Sequence, residues 1–158
     1  MKKMISTLLA VVVPWVLLPS ISLAQHQHGA TKGETMKMNT KEVLVEEVKV
    51  VFQIMTNEEH KKMLAEMKSK EVPEAGTTHN IAVTLVDEKS GKEVTNAEVS
   101  MKVVDPAEKS QIKALHADTM MKYYSAYFNL FRKGKYQVLI VFKIGDKKRT
   151  AGIYYEVK

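Results

Sequence analysis

The sequence predicts an all-β domain, an antiparallel two-layer sandwich of about seven short strands with one short helix inserted at about residues 57–70. Three observations predict it. Apolar residues alternate with polar ones in run after run from Glu42 to the end, the period of half-buried strands. Gly- and Pro-containing turn signals separate the runs. In "LFRKGKY", Leu130, Gly134 and Tyr136 match a tyrosine corner, in which a phenol opening a late strand bonds back to nearby backbone.

Each element can be justified in order. In "EVLVEEVKVVFQIM", Val48, Val50, Phe52 and Ile54 share one face, whereas Val43 and Val45 have the opposite parity. The phase slips at Glu46-Glu47, and a bulge there would restore one inward face. Thr56 followed by Glu59 is a capping box that starts the helix. Pro73 and Gly76 punctuate the segment that follows it. The next strand turns Ile81, Val83 and Leu85 inward, and a turn forms around Gly91. Ala97, Val99, Met101 and Val103 follow on one face, then the weaker strand "SQIKALHA". Tyr124, Ala126, Phe128 and Leu130 share a face. Tyr136, Val138, Ile140, Phe142 and Ile144 alternate in a strand whose other face carries Leu139 and Val141, so it is central. Ala151, Ile153, Tyr155 and Val157 close the chain.

Residues 1–24 form a signal peptide: two lysines, an apolar run, then Ser22 and Ala24 as the small residues of a cleavage site before Gln25. Pro14 and Pro19 break the run and no stop-transfer charges follow, so no stable membrane insertion is expected after cleavage. Residues 25–41 lack apolar periodicity and read as a flexible tail containing His and Met; residues 42–158 are the sandwich domain. The leader removes two lysines and no acid, lowering the formal charge from +6 to +4. So mild an excess, in a chain destined for the periplasm or secretion, gives no reason to expect nucleic acid. The chain has no cysteine, so no disulfide holds it and any soft-metal site must use Met and His.

No nucleophile elbow, P-loop, His-Glu-x-x-His or dinucleotide fingerprint occurs, and no enzyme is expected. Methionine is over-represented instead: of ten, eight lie beyond the leader, with five histidines. Thioether with imidazole suits Cu(I), and imidazole alone also suits Cu(II), Zn or Ni. Three clusters carry such donors. His26 and His28, with Met36 and Met38, lie in the tail, where nothing pre-organises them. His60, Met63, Leu64 and Met67 share one helical stripe, the helix's only apolar one, so packing comes before ligation there. Only His60, at the start of the stripe, is free to face water. His116, Met120 and Met121 fall in a loop between strands, where either ligation or a core-capping Met121 is open; His79 opens a strand near these clusters.

From His79 to Lys158 the chain resembles small exported immunoglobulin-like modules of the YtkA-like and FixH-like kind. The likeness rests on Val83, Leu85 and Asp87; Gly91, Lys92 and Val94; Ala97 and Val99; then Tyr124, Ala126, Phe128, Leu130, Gly134 and Tyr136. It covers about half the chain and speaks for fold more than function. Several such modules are associated with copper delivery or oxidase assembly, so the resemblance implies copper as cofactor or cargo and an envelope protein as partner. His116 and Met120-Met121 are more loosely spaced than the tight Met/His loops of those modules, and the helix is an addition to them. The expected protein is a non-catalytic immunoglobulin-like sandwich binding or delivering a soft metal, copper first, through His116, Met120 and Met121. His79 or His60 would complete the site, and His26 and His28 would collect the metal. The rival is a metal-free interaction or structural module whose methionines fill the core.

Overall fold

The computed structural model describes residues 39–158. The elements are β1 (Asn39–Val45), β2 (Val48–Thr56), α1 (Asn57–Glu66), β3 (His79–Asp87), β4 (Glu98–Val104), β5 (Ser110–Ala114), β6 (His116–Asp118), β7 (Tyr123–Phe128), β8 (Gly134–Ile144) and β9 (Lys147–Val157). They build a five-stranded sheet, β1-β2-β3-β7-β6, and a four-stranded sheet, β5-β4-β8-β9. All pairings are antiparallel, and β8 is internal as its two apolar faces predict. The expected leader and most of the tail, with His26 and His28, lie outside the described residues. Among those described, no helix is long and apolar enough to cross a membrane.

The two strands beyond the expected seven arise where one predicted strand proves to be two. The phase slip at Glu46-Glu47 is a two-residue hairpin turn rather than a bulge: Val45 pairs with Val48, and Glu46 adopts φ 54°. The reversal lets Val43 and Val45 pack on the same core as Val48 and Val50. The second division falls in "SQIKALHA". β5 pairs with β4 in one sheet, and β6 pairs with β7 in the other. The chain changes sheets at Leu115, whose N–H still donates to Val99 O at 2.8 Å and whose side chain joins the core.

The core lies between the sheets and contains the inward faces read from the alternation. Val50, Phe52, Ile81, Val83, Leu85, Met101, Val103, Val138, Ile140 and Phe142 are fully buried. The tyrosine corner is present: Tyr136 Oη donates to Arg132 O at 2.9 Å and accepts Arg132 N–H at 3.0 Å. A second phenol does the same elsewhere, Tyr124 donating to Val94 O and accepting Ala97 N–H, each at 2.9 Å. The two flanks of the sandwich are closed differently. At β5 and β6 the chain itself passes from sheet to sheet. At β1 and β9 the sheets are joined by side chains, Lys41 bonding Tyr154 O and Arg149 Nε pairing with Glu46 at 2.6 Å.

Helix α1 starts as its capping box requires, with Glu59 N–H on Thr56 Oγ1 at 3.2 Å and Thr56 N–H on Glu59 Oε2 at 2.8 Å. It ends at Glu66, four residues short of the expected Lys70, in a Schellman motif. Ser69 N–H reaches Leu64 O at 2.9 Å, Lys68 N–H reaches Ala65 O at 3.1 Å, and Lys68 takes φ 55°. The helix covers part of the outward face of the five-stranded sheet. Beneath it lies a second, smaller buried layer, comprising Met55, Asn80, Ala82, Tyr123, Tyr127, His60 and Leu64.

Candidate functional site

The outward face of the five-stranded sheet is the one face that carries buried polar groups and methionines together. Register fixes its rows. Met55, Asn80 and Tyr127 stand side by side on β2, β3 and β7; Gln53, Ala82, Ser125 and His116 form the next row. Above the rows lie α1 and the turn joining β6 to β7. That turn is held by Asp118 Oδ1, which accepts Met120 N–H at 2.9 Å and Met121 N–H at 2.7 Å.

Two adjoining clefts open between these elements. One, of about 270 Å³, is lined by Met55, Met63, Met121, Asn80 and Tyr123 among others. Its neighbour, of about 430 Å³, includes Met67, Met120, Met121, Tyr123, Glu71 and Asp118. The described residues hold six methionines, and five line these clefts; only Met101 lies in the inter-sheet core. Asn80 is 1 % exposed, and neither atom of its amide has a hydrogen-bond partner. Burial, with the negative charges of Asp118 and Glu71, pushes the Tyr123 phenol up to about 12, so it remains a neutral hydroxyl at ordinary pH.

The histidines are distributed differently from the expectation. His116 is on strand β6 rather than in a loop; it is exposed and borders a third cleft with Glu71, Glu74 and Tyr127. His60 does not face water but is the most deeply buried residue of the helix. Tyr127 Oη spends its one proton on Glu71 Oε1 at 2.7 Å, so its 2.9 Å bond to His60 Nδ1 is donated by the imidazole. His60 is thereby the neutral Nδ1–H tautomer, with a buried and unpartnered Nε2. Burial lowers its pKa, Glu71 opposing, and burial raises that of Tyr127, reinforced by Glu71. His79 lies on the other face of the same sheet, paired across from Phe128 and set edge-on to Tyr155 at 6.0 Å. Its Nδ1 bonds Thr78 Oγ1 at 2.8 Å, and burial lowers its pKa against the charge of Glu59.

The structure therefore sets Met121 around one cleft with Met55 and Met63, and around its neighbour with Met67 and Met120, while His79, His60 and His116 stand apart on the inward face, under the helix and on the edge strand. Among the described residues no three His, Asp or Glu side chains gather as a metal site. What gathers is thioether, together with the Asn80 and Gln53 amides, the Tyr123 phenol and the carboxylates of Glu71, Glu93 and Asp118 on the cleft walls. The thioethers suit a soft monovalent ion such as Cu(I), whereas Zn, Ni and Mg prefer imidazole or carboxylate. Met55 and Met63 carry no local motif. Their signal is that Met55 follows core-facing Ile54 at the end of a strand, on the face the helix must cover.

Solved structures share this architecture. A DUF4426 family protein from Pseudomonas aeruginosa PAO1 superposes with a TM-score of 0.60 at 14% identity, over 75% of this chain and 94% of that one. FetP from uropathogenic Escherichia coli strain F11, recombinantly expressed in the periplasm, gives 0.57 at 9% identity, over 77% and 96%. A copper-bound FetP variant gives 0.58 at 10% identity, over 75% and 95%. Identities this low establish the fold and nothing finer. No family model matches the chain, and no curated protein sequence does.

Proposed function

We propose that this chain is an exported, non-catalytic β-sandwich protein that binds Cu(I) as cargo, through methionine thioethers on the outward face of its five-stranded sheet. The observation that carries the reading is the distribution of methionine. Of the six methionines among the described residues, five line one pair of clefts on this face and one, Met101, lies between the sheets. Met121 belongs to both clefts and is the central ligand, with Met55 and Met63 as its partners; Met120, exposed on the same turn, is the entry ligand. His116 on the neighbouring edge strand is a peripheral donor rather than the third ligand. Copper bound to a FetP variant of the same fold supports the choice of metal, and the likeness to YtkA-like and FixH-like modules supports export and an envelope partner that receives the ion.

Competition titration against a Cu(I) chelator tests this. The exported protein should take up close to one equivalent. Met121→Leu and Met55→Leu, which preserve volume, should each weaken binding about tenfold or more, a loss of about 1.4 kcal/mol. Met101→Leu should leave it unchanged. Affinity no greater than that of free methionine would end the copper reading in favour of a metal-free interaction module.

A further inference from the structure

We propose that Asn80 is a ligand in the methionine cleft, its amide oxygen giving the ion an oxygen contact beside the thioethers; this rests on the copper reading above. Register places it. Asn80 is paired with Met55 on one side and Tyr127 on the other, so the three share the outward face of the five-stranded sheet. Directly opposed residues of an antiparallel pair bring their Cβ atoms to about 5 Å, which sets the amide beside the Met55 thioether. The buried layer it joins includes the apolar Met55, Leu64 and Ala82, and asparagine is a poor strand former. Packing alone favours leucine at this position, which branches at the same carbon.

What asparagine brings instead is an unsatisfied amide. It is the one described residue with both polar atoms of its side chain buried and unpaired. Asn57, also buried and unpaired at its oxygen, still donates from Nδ2 to Thr77 O at 2.9 Å. A buried amide without a partner destabilises a fold, and one kept on the wall of a cleft points to an occupant. The same cleft is lined by the thioethers of Met55, Met63 and Met121. Its carboxylate, Glu93, faces Lys122 at 3.4 Å, and the Tyr123 phenol stays protonated. Asn80 therefore adds a neutral oxygen to a soft set. Amide and carbonyl oxygens serve as weak, long axial contacts in blue-copper sites, and an uncharged oxygen offers little to a divalent ion that prefers imidazole or carboxylate. The remaining Nδ2–H₂ donates to a water that enters with the ion, for which a cleft of about 270 Å³ has room.

The test compares the exported parent with Asn80→Leu. Without metal, Asn80→Leu should melt at a higher temperature than the parent, because it removes an unpaired polar group. In competition with a Cu(I) chelator it should bind about tenfold more weakly. A ligand position gives this opposite pair of effects; a merely structural one does not. The second measurement needs no variant: in ¹⁵N-labelled parent, one equivalent of Ag(I), a redox-inert probe, should shift the side-chain amide signals of Asn80 and leave those of Asn57 in place. If Met121→Leu weakens Cu(I) binding while Asn80→Leu binds like the parent and the Asn80 amide does not shift, the inference is overturned and the copper reading stands. A metal-free Asn80→Leu protein that melts lower with unchanged Cu(I) affinity also overturns it, because the amide is then a structural group satisfied by a resident water. If the parent takes up no Cu(I), both fall.

Discussion

His60 begins the helix stripe, where a polar ring would ordinarily meet water, yet it is sealed between α1 and Tyr127. A neutral imidazole suits that setting and a protonated one does not. His79 is held in the same condition by burial. For both, the folded pKa lies below the ordinary 6.5, so near that pH the unfolded chain binds more protons than the folded one. The stability they contribute is complete above about pH 6.5 and is lost as pH falls through that value toward their lower folded pKa. Thermal melts between about pH 7.5 and pH 5 should show the melting temperature falling, and the His60→Gln/His79→Gln protein should fall less steeply. A slope unchanged by the double substitution would contradict this account. The identities of these side chains were readable in the sequence, but their burial was not. Helical spacing aligns His60 with Met63 and Met67; only Tyr127, far along the chain and bonded to Glu71, decides which end of the stripe is covered.

Among the elements, the strands were legible wherever one face alternated cleanly, because the inter-sheet core enforces that pattern: β3, β4, β7, β8 and β9 fall where the periodicity puts them. The hairpin between β1 and β2 was not, because Glu46-Glu47 lacks the Asn-Gly or Asp-Gly signal of a two-residue turn and supplies positive φ from a glutamate. The sheet change at Leu115 was hidden for a different reason: a strand leaving one sheet for another keeps its alternation and gives no local sign. The helix terminus has the same character as the hairpin. Lys68 occupies the left-handed position of the Schellman motif that glycine usually fills, at a cost of about 1–2 kcal/mol for an L-residue. Lys68→Gly should therefore raise stability by about 0.5–1 kcal/mol, after the extra entropy of glycine in the unfolded chain, read as a higher urea midpoint with an unchanged slope. A lower midpoint would mean that the Lys68 side chain contributes something its backbone strain conceals.

For the molecule as a whole, the candidate site was half legible. Met120 and Met121 stand out as a pair in the sequence, but Met55 and Met63 become their neighbours only through the β2–β3–β7 ladder and the seat of the helix. The unequal flanks have a consequence of their own. At Leu115 the two layers are spliced by continuous backbone, so separating them there requires dismantling β5 and β6 together. At β1 no backbone crosses between them: Lys41 and Arg149 tack the layers beside Val43 and Val45 at the rim of the core, and this outermost ribbon can lift before the layers behind it. Amide deuteration should register this as a gradient, fastest along Asn39–Val45 and slowest in β3 and β8; uniform exchange across the sheet would refute it. The molecule would thus hinge open along one selvedge only, the one that β1 forms.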